Sequence, residues 1–172
     1  ERSASESKIY SSAPRMGQKA SMTTHTRWLS FDTSQQLRRS GLLTRRETIS
    51  VPGLKHGDLP IPVATKIDNF VFSSGIHPLD IDSGTIPEDP EHQVKLVFEH
   101  ADTIVKTAGG TAEDIALMTF SITDDTIRPL VNDEWVRMFP DPTSWPARNS
   151  YIAELGFGMR IHIMMQAILP AT

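Results

Sequence analysis

The residue best placed to do chemistry is a single arginine, Arg148, in the stretch Ser144-Trp145-Pro146-Ala147-Arg148-Asn149-Ser150. A guanidinium offers a planar fork of donors that matches a carboxylate. Pro140, Pro142 and Pro146 punctuate the chain ahead of it, ending a helix and fixing how the backbone enters a strand. The strand end Ser74-Gly75 is a second candidate, because backbone N–H groups beside a guanidinium make an anion site. His56, His77, His92, His100 and His162 lack the paired spacing of a metal centre, so no metal is assigned. His92 and His100 read as lying on a polar helix face. Asp80 and Asp82 suit a turn, and Asp124 or Asp125 suits the start of a helix. There is no Gly-rich phosphate loop and no Ser/His/Asp signature, and no cofactor is implied.

The elements that must position these residues form an α+β pattern. Residues 1–44 form a basic, Ser- and Thr-rich extension without sustained periodicity, with one short helical turn possible over Gln35–Leu43. Such a segment fits either a solvated tail in a cytoplasmic protein or an Arg/Ser-rich mitochondrial targeting segment. The folded domain is expected over residues 45–172, beginning with an edge strand near Glu47–Val51. His56-Gly57-Asp58-Leu59-Pro60-Ile61-Pro62 reads as a loop. Lys66–Ser74 reads as one well-buried strand, and Ile76–Ile86 as a hairpin turning at Asp82-Ser83-Gly84.

A long helix opens at Glu88-Asp89-Pro90, and Gly109-Gly110 stops it. Its apolar face is Val94, Val97, Phe98, Ala101, Ile104, Val105 and Ala108. A strand over Ile115–Thr123 follows, then a helix with Leu130, Val131, Trp135, Met138 and Phe139 as its stripe. Strands over Arg148–Leu155 and Met159–Leu169 complete the domain. The last strand alternates: Met159, Ile161, Ile163, Met165, Ala167 and Leu169 on one face, and Arg160, His162, Met164, Gln166 and Ile168 on the other. Two helices against one face of a mostly antiparallel sheet leave that second face for solvent or another subunit. A methionine among its polar residues points to an interface or a cavity.

Composition excludes several classes. The chain has 172 residues and no cysteine, which removes disulfides, thiol nucleophiles and Cys-ligated zinc. No apolar run approaches the ~20 residues of a membrane span. Residues 1–50 hold nine Lys/Arg against four Asp/Glu, and the remaining 122 hold eight against seventeen. An acidic body repels polyphosphate, which argues against nucleic acid as a partner.

With these residues the chain resembles the RidA/YjgF family of imine deaminases, also called the UK114 or endoribonuclease L-PSP group. The resemblance covers roughly residues 46–170. It runs through Phe70-Val71-Phe72-Ser73-Ser74-Gly75-Ile76 with Pro78 and Asp80, the turn Ser83-Gly84, and Gln93 in the long helix. It continues through Ala108-Gly109-Gly110 before Asp114-Ile115, then Asn132, and Phe139 leading to Pro146-Ala147-Arg148. His56-Gly57-Asp58-Leu59-Pro60-Ile61-Pro62 and Met138-Phe139-Pro140-Asp141-Pro142 resemble one bacterial and fungal branch of it. The resemblance implies a chorismate-mutase-like subunit with a six-stranded sheet, a homotrimer, and clefts between subunits. It implies that Arg148 grips the carboxylate of an enamine or imine acid, and that Ser74 and Gly75 contact the same substrate.

Two departures bear on mechanism. The glutamate thought to position the attacking water in active imine deaminases falls at Met164 when Ala167-Ile168 is aligned with the family's ending. A thioether cannot accept a proton. A family tyrosine before the first strong strand is replaced by Ile61-Pro62. His162 shares a face with Met164 and is either a replacement base or a histidine packed in the subunit interface. The chain is thus read as a C–N hydrolase of the iminobutanoate/iminopropanoate deaminase type. The alternative is a non-catalytic trimer that binds a small carboxylate. An endoribonuclease is a third reading, which the acidic body opposes unless the basic extension supplies the RNA contact.

Overall fold

The computed structural model describes residues 44–171, together with residues 36 and 40. The expected helical turn over Gln35–Leu43 and nearly all of the extension lie outside the described residues. One compact unit spans Thr44–Thr172. Its strands are β1 (Arg46–Ile49), β2 (Ala64–Ile67), β3 (Phe70–Ser73), β4 (Ile115–Ile122), β5 (Ala147–Ile152) and β6 (Ile161–Ile168). Its two α-helices are α1 (Pro90–Thr107) and α2 (Ile127–Met138). The strands form a single sheet in the order β1-β2-β3-β6-β4-β5. Every neighbouring pair is antiparallel except β4 and β5, which run parallel with α2 as their crossover. The α+β expectation holds.

Two expectations about the strands do not. Lys66–Ser74 is not one strand but the heart of a hairpin, with β2 paired to β3 from Ala64↔Ser73 to Ile67↔Phe70. Asp68 makes the turn at φ 55, a left-handed conformation that Asp tolerates better than most residues. Conversely, Ile76–Ile86 holds no strand. It carries single bridges at Ile76↔Ile163 and Asp80↔Thr85, closed by the Asp80 carboxylate, which accepts from the N–H groups of Asp82 and Ser83. Gly84 takes the positive φ expected of it.

α1 starts where Asp89 accepts from the N–H groups of Glu91 and His92, with Pro90 in the first turn. All seven expected apolar residues of α1 and the turn after it are buried. The same stripe buries two polar residues. Gln93 is 0% exposed and bridges three backbone groups. It donates to Pro87 O at 2.6 Å and Gly158 O at 3.0 Å, and it accepts from Arg160 N–H at 2.6 Å. His100, expected on the polar face, is instead buried and bonded to Leu79 O at 2.8 Å. α2 begins one residue after Thr126, whose side chain makes no cap. Asp124 organises the entry from outside the helix, accepting from Thr126 N–H at 2.9 Å and from the Thr126 hydroxyl.

β6 alternates as expected. Ile161, Ile163, Met165 and Ala167 are sealed against the helices, while Met164 and Ile168 keep 43% and 47% of their surface. Phe72 on β3, beside them, keeps 42%. Among the described residues no helix is long and apolar enough to cross a membrane.

Candidate active site

Arg148 is set by what precedes it. Asp141 accepts from Thr143 N–H at 2.8 Å and organises a single 3-10 turn over Pro142–Ser144. The Trp145 indole N–H donates to Phe139 O at 3.0 Å, tying the loop to the end of α2. β5 then enters beside β4 with Arg148 level with Met118. Met118 is sealed against the helices, so Arg148 projects from the same face, at the sheet's edge.

There its Nη2 donates to Asn132 Oδ1 at 2.9 Å, and its Cζ lies 5.1 Å from the Trp135 ring centroid. A cation over an indole face is held electrostatically by the ring. Burial, and secondarily the charge of Arg128, lowers the Arg148 pKa from its usual value. Among the described residues its guanidinium pairs with no carboxylate, whereas Arg45, Arg128, Arg137 and Arg160 each do. Asn132 and Trp135 lie one helical turn apart on α2 and act together as a clamp. In the sequence Asn132 stands out only through the family resemblance, and nothing in its spacing announces that it touches Arg148.

The other candidates gather on the opposite face. Met164 stands level with Thr119 of β4, and His162 with Ser121. A shallow pocket there is lined by Phe72, Ser73, Leu117, Thr119, Met164 and Gln166. Gly75 follows β3 and lies against His162, where a Cβ would sit only 2.0 Å from Nε2. Ser74 N–H donates to Val63 O, holding this strand end to β2's entry. Ser74, Gly75, His162 and Met164 therefore share one neighbourhood. Arg148 does not share it, since β6 and β4 intervene and its side chain leaves the other face of the sheet. Two strand spacings beyond β6 put it on the order of 10 Å away within one chain. Among the described residues no group of three or more His, Asp or Glu is arranged to hold a metal.

A six-stranded sheet backed by two helices, open on its other face, with a carboxylate-free arginine on its edge strand, defines the class of α+β subunit. The chain belongs to the endoribonuclease L-PSP family, the RidA/YjgF group, whose family model matches residues 62–169. It is 33% identical over 98 residues to the 3-aminoacrylate deaminase RutC of Acinetobacter baylyi, covering 56% of this chain and 75% of that one. It is 28% identical over 121 residues to a RutC family protein of Aquifex aeolicus, covering 67% of this chain and 97% of that one. Among solved structures, RidA from an Antarctic Psychrobacter superimposes with a TM-score of 0.66 at 25% identity, over 72% of this chain and 99% of that chain. Escherichia coli TdcF with bound serine does so with a TM-score of 0.66 at 26% identity, over the same shares.

Proposed function

We propose that this protein is a RidA-like homotrimer that hydrolyses small carboxylate-bearing enamines or imines in clefts between subunits. The observation that carries this reading is Arg148: a half-clamped guanidinium with free donors and no carboxylate of its own. A relative is a deaminase of 3-aminoacrylate, itself a carboxylate-bearing enamine, and a structural neighbour holds serine, another small carboxylate. The separation of Arg148 from His162 and Met164 within one chain supports a cleft completed by a second copy. So does the half-exposed apolar surface of Phe72, Met164 and Ile168.

In this reading Arg148 binds the substrate carboxylate, and Ser74 and Gly75 line the same cleft. Water adds to the imine carbon, forming a C–O bond, and its proton passes to His162. That proton then goes to the amino nitrogen of the carbinolamine, the C–N bond breaks as the hydroxyl gives its proton back to His162 and becomes a C=O, and ammonia leaves behind a 2-oxo acid. Positioning and electrostatics at Arg148 supply most of the acceleration.

A second reading is favoured by one observation, the thioether of Met164 where the resemblance puts a glutamate. It is a trimer that binds a small carboxylate without hydrolysis. Ammonia release from enzymatically generated 2-aminoacrylate separates the two. The deaminase reading expects release by wild type and a loss of at least ~100-fold in kcat/KM for Arg148→Ala. Release absent from wild type but present in Met164→Glu would replace it with the binding reading.

A further inference from the structure

Three histidines far apart in sequence meet around Gly75. The His56 and His77 rings lie edge to face with centroids 4.9 Å apart, and His77 and His162 are 5.4 Å apart. His56 Nε2 is 2.7 Å from Gly75 O. A carbonyl oxygen only accepts, so that nitrogen carries the hydrogen, and Nδ1 of the neutral ring carries the lone pair. This Nδ1 is buried and has no partner in the protein. No hydrogen bond among the described residues occupies a ring nitrogen of His77 or His162. Gly75 leaves the space in front of His162 Nε2, since any Cβ would collide with that nitrogen.

We infer that His56 and His77 are positioning residues for His162, so that the three imidazoles around Gly75 work as one base unit with His162 Nε2 as the nitrogen that meets water. This deepens the deaminase reading and rests on it. The loop His56–Pro62 then serves the site directly, because it brings His56 onto Gly75 and against His77, whose ring faces His162.

The charges around the cluster suit a base. Burial first, then the neighbouring His56 and His162, lower the pKa of His77 below its usual 6.5. Burial first, then His56, lower that of His162. The other charged groups nearby are Lys55, beside His56 on the loop, and Arg160, on the His162 face of β6. Arg160 is paired to Asp124 at 2.6 Å, and no carboxylate offsets the effects on His77 and His162. Near neutral pH His162 keeps its lone pair, as a general base requires.

The test uses the full chain and follows ammonia release from 2-aminoacrylate against pH. His162→Gln is expected to lower kcat by at least ~100-fold with KM nearly unchanged. His56→Gln is expected to move the acid limb of the profile to higher pH, because removing a like-charged neighbour raises the His162 pKa. His77→Gln is expected to lower kcat without weakening carboxylate binding. Nitrogen-15 imidazole spectra of the wild type, titrated in parallel, should show His77 and His162 protonating below the ordinary histidine range.

Activity that survives His162→Gln, or an acid limb unmoved by His56→Gln, overturns this assignment while leaving the role of Arg148 intact. So do spectra in which the rings titrate independently at ordinary values. Silence from the wild type overturns the deaminase reading, and this assignment falls with it.

Discussion

On the side of the sheet that meets α1 and α2, Val71, Met118, Phe120, Ile122, Ile161 and Ile163 are sealed from water. On the other side Phe72, Met164 and Ile168 stand half-exposed beside Thr119, Gln166 and His162. Both sides are carried by the same strands, often by alternate residues of one strand. The first side is packed to hold the subunit together. The second is open to solvent in one chain, and every site candidate except Arg148 lies on it. Arg148 leaves the covered side only because β5 is an edge strand, where a side chain can pass the end of the core instead of entering it. Sealed and open surfaces are thus divided by the pleat, one residue apart.

The contrast can be broken most sharply by cutting into each side in turn. Phe120→Ala should cost the subunit about 3–5 kcal/mol in urea unfolding. Phe72→Ser should cost far less in the subunit itself but should shift sedimentation toward single chains. A wild type that already sediments as single chains would leave the open side to a different partner. Gln93→Leu comes next, since it leaves Pro87 O, Gly158 O and Arg160 N–H without their shared partner, and should cost about 2–4 kcal/mol. A loss near zero would mean that water replaces the amide.

The smallest effect is at Asp124. Bonds from Thr126 first, with Arg160 contributing, lower its carboxyl from 3.8 to about 2. A depressed carboxyl favours the folded state above the unfolded value near 3.8, and that contribution is lost as pH falls toward 2. Asp124→Asn should therefore lower stability at neutral pH, converge with the wild type near pH 2, and flatten the curve across the acid window between.

Much of this is legible in the sequence, for physical reasons that differ by residue. Strict alternation in Met159–Leu169 can only fit a strand covered on one side. Asp89-Pro90 and Gly109-Gly110 bracket α1 because each relieves unpaired backbone at a helix end. The hairpin at Asp68-Asn69 is hidden because β-rich residues run through it, although Asp-Asn is a fair turn signal. His100 and Gln93 are misplaced or overlooked when polarity alone is considered. They keep step with Val97 and Ile104 on the buried stripe, so periodicity outranks residue type. The cluster of His56, His77 and His162 has no local signature. It exists because Ile76 bridges Ile163, a contact that no window of neighbouring residues contains.

β6 joins Val71 to Ala167 on one side and Phe120 to Ile163 on the other. The strand in the middle of the sheet is therefore the last of the described strands to be synthesised. Until it arrives, β1–β3 and the β4–β5 pair have no strand between them, and β3 and β4 each present an open edge to any other nascent chain. Closing the sheet requires contacts across nearly a hundred residues, which makes for slow folding. A chain shortened before Ile161 would not be a smaller version of this domain. It would lack the strand that joins β3 to β4, leaving the two parts of the sheet linked only through the helices.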